Sequence, residues 1–492
     1  MYDMRPYLEK IEQVIEKGPF KDNWASLANF RTPEWYQQAK FGIFIHWGVY
    51  SVPSFGNEWY SRNMYVQGSR EFEHHVKTYG PQKDFGYKDF IPMFKAEKFN
   101  ADEWAQLFKE AGARYVVPVA EHHDGFQMYQ SEISHWNAFE MGPKRNVLGE
   151  LKQSFEKYGL TLGASTHRVE HWFFMSQGRD FDSDIKEPMQ RGDFYWPAMK
   201  EPSNHHDLFS EPTPTQEFLE DWLVRCCELI DRYRPKLIYF DWWIQHSAVK
   251  PYLKKFAAYY YNRAAEWGEE VAINYKHEAF MFGAAVPDVE RGQFAEMKPY
   301  FWQTDTATAR NSWGYTEGNE YKSARGLICD LVDIVSKNGT LLLNVGPRPD
   351  GSIGPEDTAI LKEIGQWLSV NGEAIYDTHI WRKACEGPTM IEEGQFTDKA
   401  ERYFTSEDIR FTTKGDCLYA TVLSWPEDGC VTIRSLAEAD ASCLPVFHGI
   451  IKDVDVLGLD GKPEWKRDEE GLHVCAPSIK TDKPVVIRIQ LD

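Results

Sequence analysis

The 492-residue chain carries 75 Asp and Glu against 55 Lys and Arg, a formal net charge of -20. That balance argues against nucleic-acid and anionic-membrane partners, which select clustered Lys and Arg, and no run reaches the ~18 apolar residues of a membrane span. The length suits one large domain plus a smaller one with a sizeable core; 18 Trp, 25 Tyr and 30 Phe furnish either a large aromatic core or rings that stack on sugar C–H faces.

In chain order, the opening MYDMRPYLEKIEQVIEK has no apolar signal core, so a cytoplasmic protein is expected, although a trimmed signal peptide would leave the same sequence. FGIFIHW (41–47) is an apolar run of strand length. Asn100 then caps a helix with acids in its first turn and a stop at Gly112. RYVVPVA (114–120) reads as a strand in which Pro118, unable to donate to the ladder, marks a bulge or a misplaced boundary. VLGELKQSFEKYG (147–159) is helical before the strand LTLGAST (160–166). Helices over 215–233, 251–267 and 321–337 precede LIYFD (237–241), VAINY (271–275) and TLLLNV (340–345), with a weaker strand at YFWQT (300–304).

About seven strands, most separated by helices, specify a parallel α/β fold whose length suits a (β/α)8-like barrel over residues 1–385. Later the pattern turns to alternating β segments, RFTTKGDCLYATVLSW, GCVTIRSL and KPVVIRIQL, which predict an antiparallel β-sandwich over 395–492. The eight cysteines (226, 227, 329, 385, 417, 430, 443 and 475) show no C-x-x-C spacing, so free thiols and a reducing compartment are expected.

Barrel enzymes draw their chemistry from the C-terminal ends of strands. Here those ends read His46-Trp47, Glu121-His122-His123-Asp124, His167-Arg168, Asp241-Trp242-Trp243 and Tyr275-Lys276-His277. His122-His123 invites a metal, yet neighbouring imidazoles in an extended chain diverge and no H-x-x-x-H puts two ligands on one helical face. Hydrogen bonding to sugar hydroxyls uses them equally well, and the expectation is no metal and no cofactor. A barrel mouth of carboxylates and rings is the setting for glycoside hydrolysis, which needs two carboxyl groups. Asp241 is one candidate, kept ionised by donors such as His46 or His122.

KFGIFIHWGVYSVPSFGNEWY (40–60), EHHDGF (121–126), IYFDWW (238–243), QTDTATARNSWGY (303–315) and DLVDIVSKNGTLLLNVGPRPDGSIG (330–354) resemble, in order, the motifs of α-L-fucosidases of glycoside hydrolase family 29. The resemblance spans about residues 25–380. It implies a barrel followed by a β-sandwich and retaining hydrolysis of terminal α-L-fucose from a fucosylated oligosaccharide or glycoconjugate through a covalent intermediate. Asp241 then matches the nucleophile, and His46, Glu58, Trp59, His122 and His123 match the fucose-binding groups.

Two departures stand out. Many members carry Asn-Asp-Arg where this chain has Asn274-Tyr275-Lys276, which puts Lys276 in an arginine's place beside the substrate. Many also carry Tyr-Tyr-Ser after the third strand, where this chain has 165–172, STHRVEHW. The family's acid/base comes from the loop after the strand bearing that Arg, which points to Glu290; Glu58 is the second candidate, with Glu296 and Glu278 behind. A glycosidase for another L-fuco-configured sugar such as an α-L-galactoside, or a non-catalytic fucose-binding protein, are the competing readings, and a homo-oligomer is compatible with all of them.

Overall fold

The computed structural model describes residues 2–439, 442 and 444–492. Eight parallel strands close a barrel in chain order: β1 (Phe41–Ile45), β2 (Tyr115–Glu121), β3 (Thr161–Thr166), β4 (Leu237–Phe240), β5 (Ala272–Tyr275), β6 (Val286–Glu290), β7 (Trp302–Ala307) and β8 (Gly339–Val345). β8 returns to pair with β1, Leu341 opposite Phe41 through Val345 opposite Ile45. The apolar runs are buried at every position of β1, β2, β4 and β8, as strands packed on both faces must be. Helices over Ala101–Glu110, Val147–Tyr158, Gln216–Tyr233, Lys250–Trp267, Ala324–Ser336 and Pro355–Asn371 cover the outside. Their first turns are closed by side chains where the sequence offers them: Asn100, Asn146, Thr215 and Ser323 each accept a backbone N–H.

One barrel strand departs from expectation. β6, VPDVE, is a strand absent from the sequence reading, so Glu290 is the last residue of that strand and not a loop residue. Pro287 and two acids interrupt any apolar run, and no helix separates β6 from β5 or β7; only the pairing of Asn274 with Val286 and of Asp288 with Gln303 defines it. Pro118 lies inside β2, opposite Ile45, and the register against β3 slips between Val119 and Glu121, so a bulge does follow the proline.

The C-terminal unit holds β9 (His379–Glu386), β10 (Ile409–Lys414), β11 (Cys417–Val422), β12 (Cys430–Ile433), β13 (Ile451–Val456), β14 (Glu464–Asp468), β15 (Gly471–Cys475) and β16 (Val485–Leu491). They form antiparallel sheets ordered β13-β16-β11-β10-β9 and β12-β15-β14 around a core of their own. β9 falls within residues the sequence reading gave to the barrel, yet it pairs with β10. The cysteines also need correction. Cys430 and Cys475 stand directly opposite on β12 and β15, Cα atoms 4.2 Å apart, and are joined as a disulfide. Alternating strands carry no C-x-x-C signal because the partners meet only once the sheet forms, and the bond removes the cysteine argument for a reducing compartment. Cys226, Cys227 and Cys329 are buried free thiols, as expected, while Cys443 lies outside the described residues.

Candidate active site

The C-terminal ends of the barrel strands open into a cavity of about 330 Å³. Its floor is buried: Phe44, His46, His122, His123, His167, Tyr239, Lys276 and Asp305. Glu58 is also buried, whereas Trp59, Asp241, Glu290, Trp242 and Trp313 are partly exposed on the walls. His206, His277 and Phe396 form an exposed rim.

Asp241 follows the last residue of β4, and both its oxygens are held. Oδ1 accepts from its neighbour Trp242 N at 2.8 Å and from Lys276 Nζ at 3.3 Å. Oδ2 lies 3.0 Å from His167 Nδ1 and 3.5 Å from His123 Nε2. Burial opposes its charge, but Lys276 and the two imidazoles outweigh burial and hold its carboxyl well below the usual range. An ionised acceptor fixes the tautomer next to it: His167 donates through Nδ1, and its Nε2 takes the Ser165 hydroxyl at 3.1 Å. The same logic orients His46, whose Nδ1 donates to Asn344 Oδ1 at 2.7 Å while the Asn344 amide donates to Trp313 O, leaving the His46 Nε2 lone pair free.

The histidines differ in charge. Burial, reinforced by neighbouring imidazoles, drives His46 and His122 well below their usual value and lowers His167. Burial also opposes His123, yet Glu170, 3.0 Å from its Nδ1, and Asp241 push it up to about 10. One imidazolium and one ammonium therefore face Asp241.

Lys276 occupies the centre. Its Nζ lies 2.7 Å from Glu290 Oε2, 3.6 Å from Asp305, 4.0 Å from Asp288 and 3.3 Å from Asp241. One ammonium cannot keep four crowded carboxyls ionised, and the outcome is uneven. Burial and the Asp305 charge push Asp288 well up. Burial, opposed by Lys276 and reinforced by Asp241 and Asp305, raises Glu290 to about 7. Arg291 does not counter this, because its guanidinium turns away to the carbonyls of Ala309, Arg310 and Ser312 and lies over the Trp313 ring.

The residues singled out from the sequence thus share one cavity. Glu58 Oε2 accepts from Trp313 N at 2.9 Å and Ser312 Oγ at 3.2 Å, the bonding of a carboxylate that ties down a loop. Trp59 packs edge-on against His123 and Phe174. Lys276, expected to face substrate, lines the cavity with its charge engaged by carboxylates. Glu121, Asp124 and Arg168 stand at strand ends but point elsewhere: Glu121 pairs with Arg168 and Arg225, and Asp124 accepts from Tyr87. Glu278 and Glu296, the remaining acid/base candidates, do not line the cavity. Sequence reasoning named His167 without giving it a role, and it overlooked Asp305 and Trp313 although both lie in the QTDTATARNSWGY stretch. Phe396 carries no sequence signal, since it arrives from the segment between the two domains.

Two sets of groups bring ligand atoms within 4.8 Å of one another: His46, His122 and His167, and His123, His167 and Asp241. His167 belongs to both, and each of its ring nitrogens is engaged, one on Asp241 and one on Ser165. A cation in either set would have to displace one of those His167 bonds, and in the second set also deprotonate His123, so the donor chemistry suits hydroxyl recognition better than a resident metal.

A family model described as "Alpha-L-fucosidase" matches residues 7–373, and one described as "Alpha-L-fucosidase C-terminal domain" matches 403–489. The chain is 28% identical to the tissue alpha-L-fucosidase of Homo sapiens over 486 residues, covering 96% of this chain and 91% of the relative. It is 31% identical to the human plasma alpha-L-fucosidase, covering 83% and 80%. The crystal structure of the Thermotoga maritima alpha-fucosidase superimposes with a TM-score of 0.72 at 29% identity, over 96% of this chain and all of that one, and that enzyme has also been solved in complex with fucose. Family model, relatives and fold agree along nearly the whole sequence: the chain belongs to the α-L-fucosidase family, glycoside hydrolase family 29.

Proposed function

We propose that the protein hydrolyses terminal α-L-fucose from fucosylated glycans with retention, Asp241 acting as nucleophile and Glu290 as acid/base. The observation that carries this reading is the meeting of the two carboxyl groups on one ammonium, 3.3 Å from Asp241 and 2.7 Å from Glu290. Those contacts bring one oxygen of each carboxyl to the same ammonium, a compact pairing compatible with the closer carboxyl spacing of retaining enzymes. The opposed ionisation fits the same roles, with a carboxylate held charged for attack and a carboxylic acid poised near 7 for proton donation.

In the first step Asp241 attacks the anomeric carbon while Glu290 protonates the departing glycosidic oxygen. Because Lys276 donates to Glu290 Oε2, the transferable proton sits on Oε1. In the second step Glu290 takes a proton from water, the water oxygen attacks the same carbon and the bond to Asp241 breaks. Two inversions restore the α configuration. His46, His122 and Trp59 are the groups that would hold the sugar, and the apolar faces of Phe44 and Trp313 suit the fucose methyl better than a 6-hydroxyl, which would need a partner there. In the Thermotoga maritima relative, an Asp-to-Gly variant is described as a fucosynthase, which is consistent with an aspartate nucleophile in this family.

Proton NMR of the first-formed sugar tests the reading: α-L-fucose is expected, and an initial β-anomer would overturn double displacement. Asp241→Gly is expected to lose at least ~10³-fold in kcat and to recover turnover with azide, giving a β-fucosyl azide. Loss of the true acid slows a sugar leaving group far more than an activated aryl one, so that pattern is expected for Glu290→Ala and not for Glu58→Ala.

A further inference from the structure

We infer that the segment joining the two domains completes the active site, and that Phe396 sorts substrates by stacking on the ring attached to fucose. The inference rests on the fucosidase reading above. Residues 393–398 are laid along the chain that leaves β6. Gly394 N donates to Gln293 O at 3.0 Å, Phe396 N to Glu290 O at 2.9 Å and Asp398 N to Arg291 O at 3.2 Å, while Glu393 accepts from Ala295 N at 3.0 Å. The approach is so close that a Cβ on Gly292 would sit 1.8 Å from the Gly394 carbonyl oxygen. At the end of the strap, Asp398 is pinned by Lys322 and by Thr306 Oγ1.

This strap holds Phe396 at φ 56, a left-handed conformation disfavoured for a side chain of that size, which persists where flanking bonds over-determine it. The result is that Phe396, a residue 49% exposed, lines the active-site cavity. His206 and His277 share the rim with it, their ring centroids 5.9 and 6.4 Å from that of Trp242 on the wall. The cavity therefore grades from a buried floor of hydrogen-bonding groups, suited to a hydroxylated sugar, to an exposed aromatic rim, suited to the apolar face of a second ring. The leaving group departs past Glu290, and Phe396 is bonded through its own N–H to the Glu290 carbonyl.

The test compares three substrates: α-L-fucosyl fluoride, whose leaving atom is too small to reach the rim, an aryl α-L-fucoside and a fucosylated disaccharide. In Phe396→Ala the ratio of disaccharide to fluoride kcat/KM is expected to fall about fivefold to tenfold, mainly through KM, and in Phe396→Trp to stay near the wild-type ratio. Phe396→Leu, which keeps bulk without the ring, should behave like Phe396→Ala if stacking is the cause. A ratio within twofold of wild type in both ring-less variants would overturn the assignment while leaving fucosidase activity standing. A wild-type protein that cleaves none of the three overturns the fucosidase reading, and the role of Phe396 with it.

Discussion

Lys276 sets how protons are shared among the carboxyls around it. Its charge acts in the same direction on both proposed catalytic groups, keeping Asp241 ionised and restraining Glu290, which burial still lifts to about 7. Activity that needs Glu290 protonated is therefore lost as pH rises through about 7, and activity that needs Asp241 ionised is lost only well into acid. Lys276→Met removes the positive charge, so both carboxyls rise and both limbs of the kcat/KM profile move to higher pH, with at least ~10-fold lower kcat/KM at the optimum. Lys276→Arg keeps the charge but presents a planar fork; both limbs should stay nearer their wild-type positions. A pH profile unmoved by Lys276→Met would show that the ammonium does not tune these groups. The strand-end pattern made Asp241 legible from sequence, as a carboxylate closing an apolar run. The four-carboxyl cluster was not legible, because Asp288 and Asp305 lie within strands and meet Lys276 only when the barrel closes.

At the level of elements, seven of the eight barrel strands could be read, most of them because burial on both faces writes an apolar run into the strand, and β7 only weakly, from the aromatic residues at its start. β6 escaped because its side chains serve the site: Asp288 faces Gln303 and Lys276, and Glu290 faces the cavity. The strap was equally hidden, since backbone pairing leaves no side-chain pattern. Its one sequence trace is the pair Gly292 and Gly394, whose close approach has meaning only once the two segments touch. Gly292→Ala should force them apart, costing ~1–3 kcal/mol of stability as overpacking does and lowering the disaccharide-to-fluoride ratio as Phe396→Ala does. Gly318→Ala is the control, because an added Cβ there meets nothing within 4 Å. Thermal melts with kinetics on both substrates check the pair, and equal behaviour of the two variants would argue that the strap is not close-packed.

Across the whole molecule, the sandwich is fastened to the barrel by charge as well as by apolar packing. Asp333, on the outer helix Ala324–Ser336, receives Arg410 Nε of β10 at 2.5 Å on one oxygen and Lys337 Nζ at 2.6 Å on the other. Each of the three side chains is no more than 2% exposed. Burial opposes the Asp333 charge, but Arg410 and Lys337 outweigh it and lower its pKa in the folded state. A carboxyl depressed on folding contributes stability that is present above its unfolded value, near ~3.9, and lost as pH falls through the folded one. Asp333→Ala leaves two buried cations without their partner and is expected to cost ~3–5 kcal/mol. Asp333→Asn keeps the shape, loses most of that charge stabilisation and removes the titration. The informative measurement is the melting temperature of wild type and Asp333→Asn between pH 7 and pH 3. The variant should melt well below wild type at pH 7, and the gap should begin to narrow as pH falls below ~4, where the unfolded chain takes up the Asp333 proton. A gap that stays constant down to pH 3 would mean that the Asp333 charge does not join the two domains.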